Sequence, residues 1–156
     1  MKEILSFILF TSVAINIIAQ ERDLDWNMIL EIDDEIELSY LIKEIKIVQE
    51  RENGETKEYE AKYFPGSLKI QNYDPQFFNE GKLHLVFSYF RSNSRGNYYV
   101  NEYKINFYKS WLNFDYVIFD IHNMDKEENR KRFPKQRDKD YIYGYKIPGT
   151  IFTWEE

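Results

Sequence analysis

Apolar and polar positions alternate with a period of two through most of this chain. The clearest run is 98–109, where Tyr103, Ile105 and Phe107 fall on one side and Glu102, Lys104 and Asn106 on the other. That pattern belongs to a strand with one wet face. The run 114–121 that follows is apolar at almost every step and rich in aromatic and β-branched residues. It suits a strand covered on both faces better than a helix. The two segments together predict the middle of a β-sheet.

The same alternation predicts strands from Trp26 to Ile32 and, after an Asp33-Asp34 turn, from Ile36 to Ile42. Asn53-Gly54 accepts the positive φ angles of a tight turn, so 44–51 and 56–64 read as a hairpin. Further strands are expected at 68–72, 82–90, 141–147 and 150–154, separated by turns at Pro65-Gly66, Asp74-Pro75 and Pro148-Gly149. Gln20 to Asp25 reads as a loose polar arm, Phe77-Phe78 as a plug at the end of the sheets, and 91–97 as an exposed loop. The segment after His122 has two readings. One is a short helix capped by Asn123 or Asp125, with Glu127 and Glu128 in its first turn, Arg130 to Arg132 in its last, and Pro134 as its stop. The other is a charged loop. Short strands with turn signals every 8–12 residues or so imply an all-β, antiparallel β-sandwich of immunoglobulin or transthyretin type. A small lipocalin-like β-barrel is the alternative, disfavoured by the unequal polarity of 98–109 and 114–121.

With 156 residues the chain makes one domain. Its 13 Tyr, 12 Phe and 3 Trp supply large rings that favour strands and build a core without the help of cysteines, of which there are none. Residues 1–19 stand apart. Ile4 to Ile18 is mostly apolar and too short for a span that needs about 20 residues. Ile17-Ile18-Ala19 offers the small residue a signal peptidase reads, so residues 1–19 are expected to be a signal peptide and 20–156 a single exported domain without a membrane span. The segment resembles the export signals of small proteins of Bacteroidota-type bacteria, a resemblance confined to the first twenty residues that implies a periplasmic or extracellular location.

The net charge of −6 is uneven. Residues 20–60 carry 14 acidic and 5 basic side chains, residues 61–156 carry 12 and 15, and the stretch 126–139 alone holds seven basic groups. An acidic protein repels nucleic acid at long range, so no nucleic-acid partner is expected. The asymmetry points instead to another envelope or secreted protein, or to a second copy of the chain.

Candidate chemistry is sparse. With no Cys and no G-x-S-x-G, nucleophilic catalysis finds no motif. His84 is out of phase with Leu83, Leu85 and Phe87 and is expected to face solvent; His122 ends the most apolar strand and reads as a surface or capped residue. Asp120, His122 and Asp125 lie close in sequence, and Asp33-Asp34-Glu35 is a compact acidic turn, but neither has the spacing of a metal motif, so no metal or cofactor is assigned. The tyrosine row Tyr141, Tyr143 and Tyr145, with Trp111, has two readings: an aromatic face that binds a glycan, lipid or partner, or core packing with hydroxyls at the rim. The resulting expectation is a non-catalytic binding or protein-interaction module, with a glycan- or lipid-binding sandwich or barrel and a hydrolase using paired carboxylates as alternatives. Exported protein should begin at Gln20 when its intact mass is measured; a product that retains residues 1–19 would refute cleavage there.

Overall fold

The computed structural model describes residues 22–75, 77–92, 96 and 98–155. The expected signal peptide and most of the 91–97 loop lie outside the described residues. The strands are β1 (Arg22–Trp26), β2 (Met28–Ile32), β3 (Glu35–Ile36), β4 (Ile42–Glu50), β5 (Thr56–Phe64), β6 (Ser67–Tyr73), β7 (Lys82–Ser92), β8 (Tyr98–Phe107), β9 (Val117–Asn123), β10 (Tyr141–Lys146) and β11 (Thr153–Glu155). One six-residue helix, α1 (Glu127–Arg132), sits between β9 and β10. The strands form two packed sheets, ordered β1-β6-β5-β4-β7-β8 and β11-β10-β9-β2-β3. Every described pair is antiparallel except β2 with β9. The fold is therefore an all-β sandwich, and neither sheet closes into a barrel. Among the described residues no helix is long and apolar enough to cross a membrane.

The alternating positions supply the core. Met28, Leu30 and Ile32 of β2 and Val117, Phe119 and Ile121 of β9 face Ile47, Leu85, Phe87, Tyr103 and Ile105 of the other sheet, all of them buried. Phe78 is 1% exposed and meets the rings of Tyr59, Tyr73 and Phe107 edge-on at 5.0–5.8 Å, which is the plug its apolar pair suggested. The Asn53-Gly54 turn joins β4 to β5 as expected, with Gly54 at φ +84°.

Four expectations need correction. The arm before Trp26 is strand β1, which pairs with β6 and is tied by an Asp23–Lys69 ion pair of 2.9 Å. Trp26 to Ile32 is not one strand: the chain changes sheet at Asn27. Of the strand expected at 36–42, β3 (Glu35–Ile36) takes only Ile36, and Glu37 turns inward to accept a 2.7 Å hydrogen bond from the Tyr89 hydroxyl. Most importantly, 98–109 and 114–121 are not neighbours in one sheet. β8 is the edge of the six-stranded sheet, β9 is the centre of the five-stranded one, and a 3-10 turn over Lys109–Asn113 carries the chain between them. The helical reading of the charged segment holds for α1, but its cap position is Lys126, with no side-chain bond; Asn123 is engaged elsewhere.

The tyrosines of β10 explain how a ten-residue edge strand is tolerated. The Lys104 and Asn106 amides, which point away from β7, donate to the hydroxyls of Tyr141 (2.8 Å) and Tyr143 (3.0 Å), and Tyr141 donates back to the Lys104 carbonyl at 2.9 Å. Side chains from one sheet thus occupy the free edge of the other, where unpaired backbone would recruit another strand. Replacing both by phenylalanine should leave the rings packed but expose that edge. Y141F/Y143F is expected to lose about 1–3 kcal/mol in urea unfolding and to self-associate in size-exclusion chromatography; an unchanged midpoint would refute the capping role.

Candidate functional site

A cleft in the six-stranded sheet arises from a defect in strand pairing. Between Lys43 and Lys46, β4 advances three residues while β7 advances two, from Ser88 to Val86. The extra residue is a β-bulge, which bends the strand that carries it. Glu44 sits in it at φ +52°, a left-handed conformation that costs a non-glycine residue on the order of 1–3 kcal/mol. Beyond the bulge β4 leaves β5. Their pairing starts only at Lys46↔Glu60, while the far half of β5, from Ala61 to Phe64, pairs with β6 instead. Residues 42–45 and 61–64 therefore flank a split inside the six-stranded sheet, a cleft of about 810 Å³. Ile42, Ile45 and Tyr63 in its lining are buried, whereas Tyr40 and Phe64 are 64% and 59% exposed. The remaining side chains are balanced in charge: Lys43, Lys46 and Lys62 against Glu44, Glu58 and Glu60.

The cleft has firm walls. Tyr63 points through the sheet, and its hydroxyl accepts a 3.1 Å bond from the Leu30 amide. The 37–41 loop that carries Tyr40 is pinned by Glu37 on Tyr89 and by the Phe90 amide donating to the Leu41 carbonyl at 2.9 Å. Burial, reinforced by the nearby Glu35 and Asp33 carboxylates, raises the Glu37 pKa despite the Tyr89 bond.

The residues singled out in sequence lie elsewhere. Trp111 is 2% and Tyr143 9% exposed; Tyr141 and Tyr145 are half-buried. Trp111 packs 4.6 Å from the Tyr145 ring and 5.2 Å from Phe119. The row is interior packing with hydroxyls at the rim, and burial holds the Tyr143 phenol up at about 12. It offers no flat aromatic face to solvent.

Neither histidine lies on open surface. His84 does project from the outer face of its strand, but it is only 9% exposed, 3.5 Å from a Glu50 oxygen, and burial, followed by Lys104, lowers its pKa. His122 is fully buried on the outer face of the five-stranded sheet, its ring in a cluster with Phe133 (5.1 Å) and Trp154 (5.4 Å). Trp154 can lie there because Gly144, its partner on β10, has no Cβ; one added there would meet the indole at 2.9 Å. Asp120 Oδ2 lies 3.1 Å from His122 Nε2, and the Asp33-Asp34 turn brings Asp34 to the same spot. Asp125, expected near this pair, instead forms an ion pair with Arg91. The basic stretch meets the acidic turn within the same chain, Lys126 on Asp33 and Arg132 on Asp34, each at 2.9 Å.

No family model matches this chain, and neither a curated protein nor a solved structure does.

Glu37 gives the cleft wall a measurable pH signature. A carboxyl whose pKa is raised on folding contributes stability that is fully present below its unfolded value, about 4.3, and is lost as pH rises through the folded value. E37Q keeps an acceptor for Tyr89 but cannot ionise. Its thermal midpoint should exceed that of the parent at pH 7 and converge with it below about pH 4; parallel pH curves would refute the burial argument.

Proposed function

We propose that the protein is an exported, non-catalytic interaction module that captures an extended segment of a partner protein in the cleft between β4 and β5. The observation that carries this reading is the split itself. Two stretches of backbone, 42–45 and 61–64, face each other without pairing inside the six-stranded sheet. An extended main chain is the chemistry that satisfies strand edges, by adding hydrogen bonds on both sides. The volume lies within the range of ordinary ligand sites. Tyr40 and Phe64 supply exposed rings of the kind that anchor interfaces. The balanced lysines and glutamates favour a segment of low net charge with apolar side chains at alternate positions.

Selection from a displayed library of short random peptides tests this. Enriched peptides should protect the amides of 42–45 and 61–64 from hydrogen exchange. The surface variant Y40E/F64E should weaken them at least tenfold while keeping the parent's thermal midpoint. Peptides that bind the variant equally well, or whose protection maps to 98–102 or elsewhere, would overturn the assignment, as would a library that enriches nothing.

A further inference from the structure

We propose that Asp34, Asp120 and His122 bind a divalent transition-metal ion, zinc being the one their two carboxylates and one imidazole suit best. The proposal stands independently of the cleft.

One donor atom from each of the three residues lies within 4.8 Å of the others. Two of them are already spaced as ligands: Asp120 Oδ2 and His122 Nε2 are 3.1 Å apart, while two ligands about 2.0–2.1 Å from a tetrahedral ion lie about 3.3 Å from each other. Asp34 projects from an exposed turn and has the freedom to close the remaining distance.

The second observation is that buried polar atoms of this pair have no partner. Asp120 Oδ1 and His122 Nδ1 are both shielded from solvent without a hydrogen bond, in residues 5% and 0% exposed. An ion bound through Nε2 and both oxygens of Asp120 would replace the proton between Nε2 and Oδ2 and engage Oδ1, leaving Nδ1 as the ring N–H. Buried native polar groups are nearly always satisfied, and a bound ion is one of the recognised explanations when one lacks a protein partner.

The surroundings hold the ligands in place. Phe133 and Trp154, 4.9 Å from each other, pack together against the His122 ring. Glu31 stands directly opposite Asp120 across the β2–β9 ladder and adds a carboxylate to the same face. Arg132, 2.9 Å from Asp34, is the positive charge an ion would displace or share.

The test uses the full chain, freed of metal by a chelator and titrated with Zn²⁺ against a chromophoric indicator. One Zn²⁺ per chain is expected to bind, to shift the His122 ring ¹⁵N resonances, and to be lost in H122Q and D120N. Because those two positions are buried, D34N is the decisive variant: its side chain is 66% exposed, and asparagine accepts the local φ of +68°. It should fold as the parent does and bind Zn²⁺ at least tenfold more weakly. No saturable uptake by the parent, equal affinity of D34N, or Ca²⁺ competing as well as Zn²⁺ would overturn the site.

Discussion

The sandwich depends on two of the three places at which the chain passes from one sheet to the other, and on the hydrogen bonds that fasten those two passages together. One lies at Asn27, between β1 and β2; the other is the 109–116 segment between β8 and β9. Trp26 donates its indole N–H to the Trp111 carbonyl at 3.2 Å, and Asn27 donates its side-chain amide to the Asp115 carbonyl at 2.7 Å. The Val117 amide returns a bond of 3.1 Å to the Asn27 carbonyl. From that anchor β2 and β9 run parallel in register, Met28 beside Val117 and Ile32 beside Ile121. Parallel neighbours cannot be joined by a tight turn. Here each is entered from the opposite sheet, so both crossings leave from the same end.

That register decides what meets at the far end. The Asp33 amide donates to the Ile121 carbonyl at 2.8 Å, which sets the acidic turn against the end of β9. Asp33 accepts from the Asn123 amide, from the side chains of Asn123 and Asn129, and from Lys126, all within 2.9 Å. Burial alone would raise its pKa, but these bonds outweigh it and hold the carboxyl below its ordinary range. Asp33 thereby docks α1, whose residue Asn129 is itself buried. The adjacent group shows the opposite state. Asp120 and His122, equally sequestered, share one contact and leave two atoms without partners. A chain that satisfies one buried carboxylate so fully and its neighbour so poorly has a different use for the second.

Periodicity made the strands legible, and turn chemistry made the β4–β5 hairpin legible, because both are local. Sheet membership was not. β8 and β9 follow one another along the chain, and nothing in their pattern says that the 3-10 turn between them leads into a different layer. The tyrosine row shows a related limit of local pattern: alternation places Tyr141 and Tyr143 on one side of a strand without saying that this side faces a bare edge in need of hydrogen-bond partners. For His122 the signal was present. The near-continuous apolar run into β9 implies cover on both faces, and a residue at the end of such a strand shares that cover, here from Phe133 and Trp154. Asp34 could not be joined to His122 from sequence, since 88 positions separate them and only the parallel register brings them together.

The treatment of strand edges ties the fold to its proposed use. Exposed edges invite pairing, and proteins blunt them by shortening, charging or covering them. This chain does each. β3 and β11 are two and three residues long, β1 carries the Asp23–Lys69 pair, and the second half of β8 is closed by phenols. Inside the six-stranded sheet, the ladder between β4 and β5 stays open over 42–45 and 61–64. The opening is produced by a bulge that holds Glu44 in an unfavourable conformation, although a continuous ladder would relieve the strain and fill the gap. A chain that guards its outer edges yet leaves an interior one open, at a cost in stability, is what the proposed entry of another strand requires.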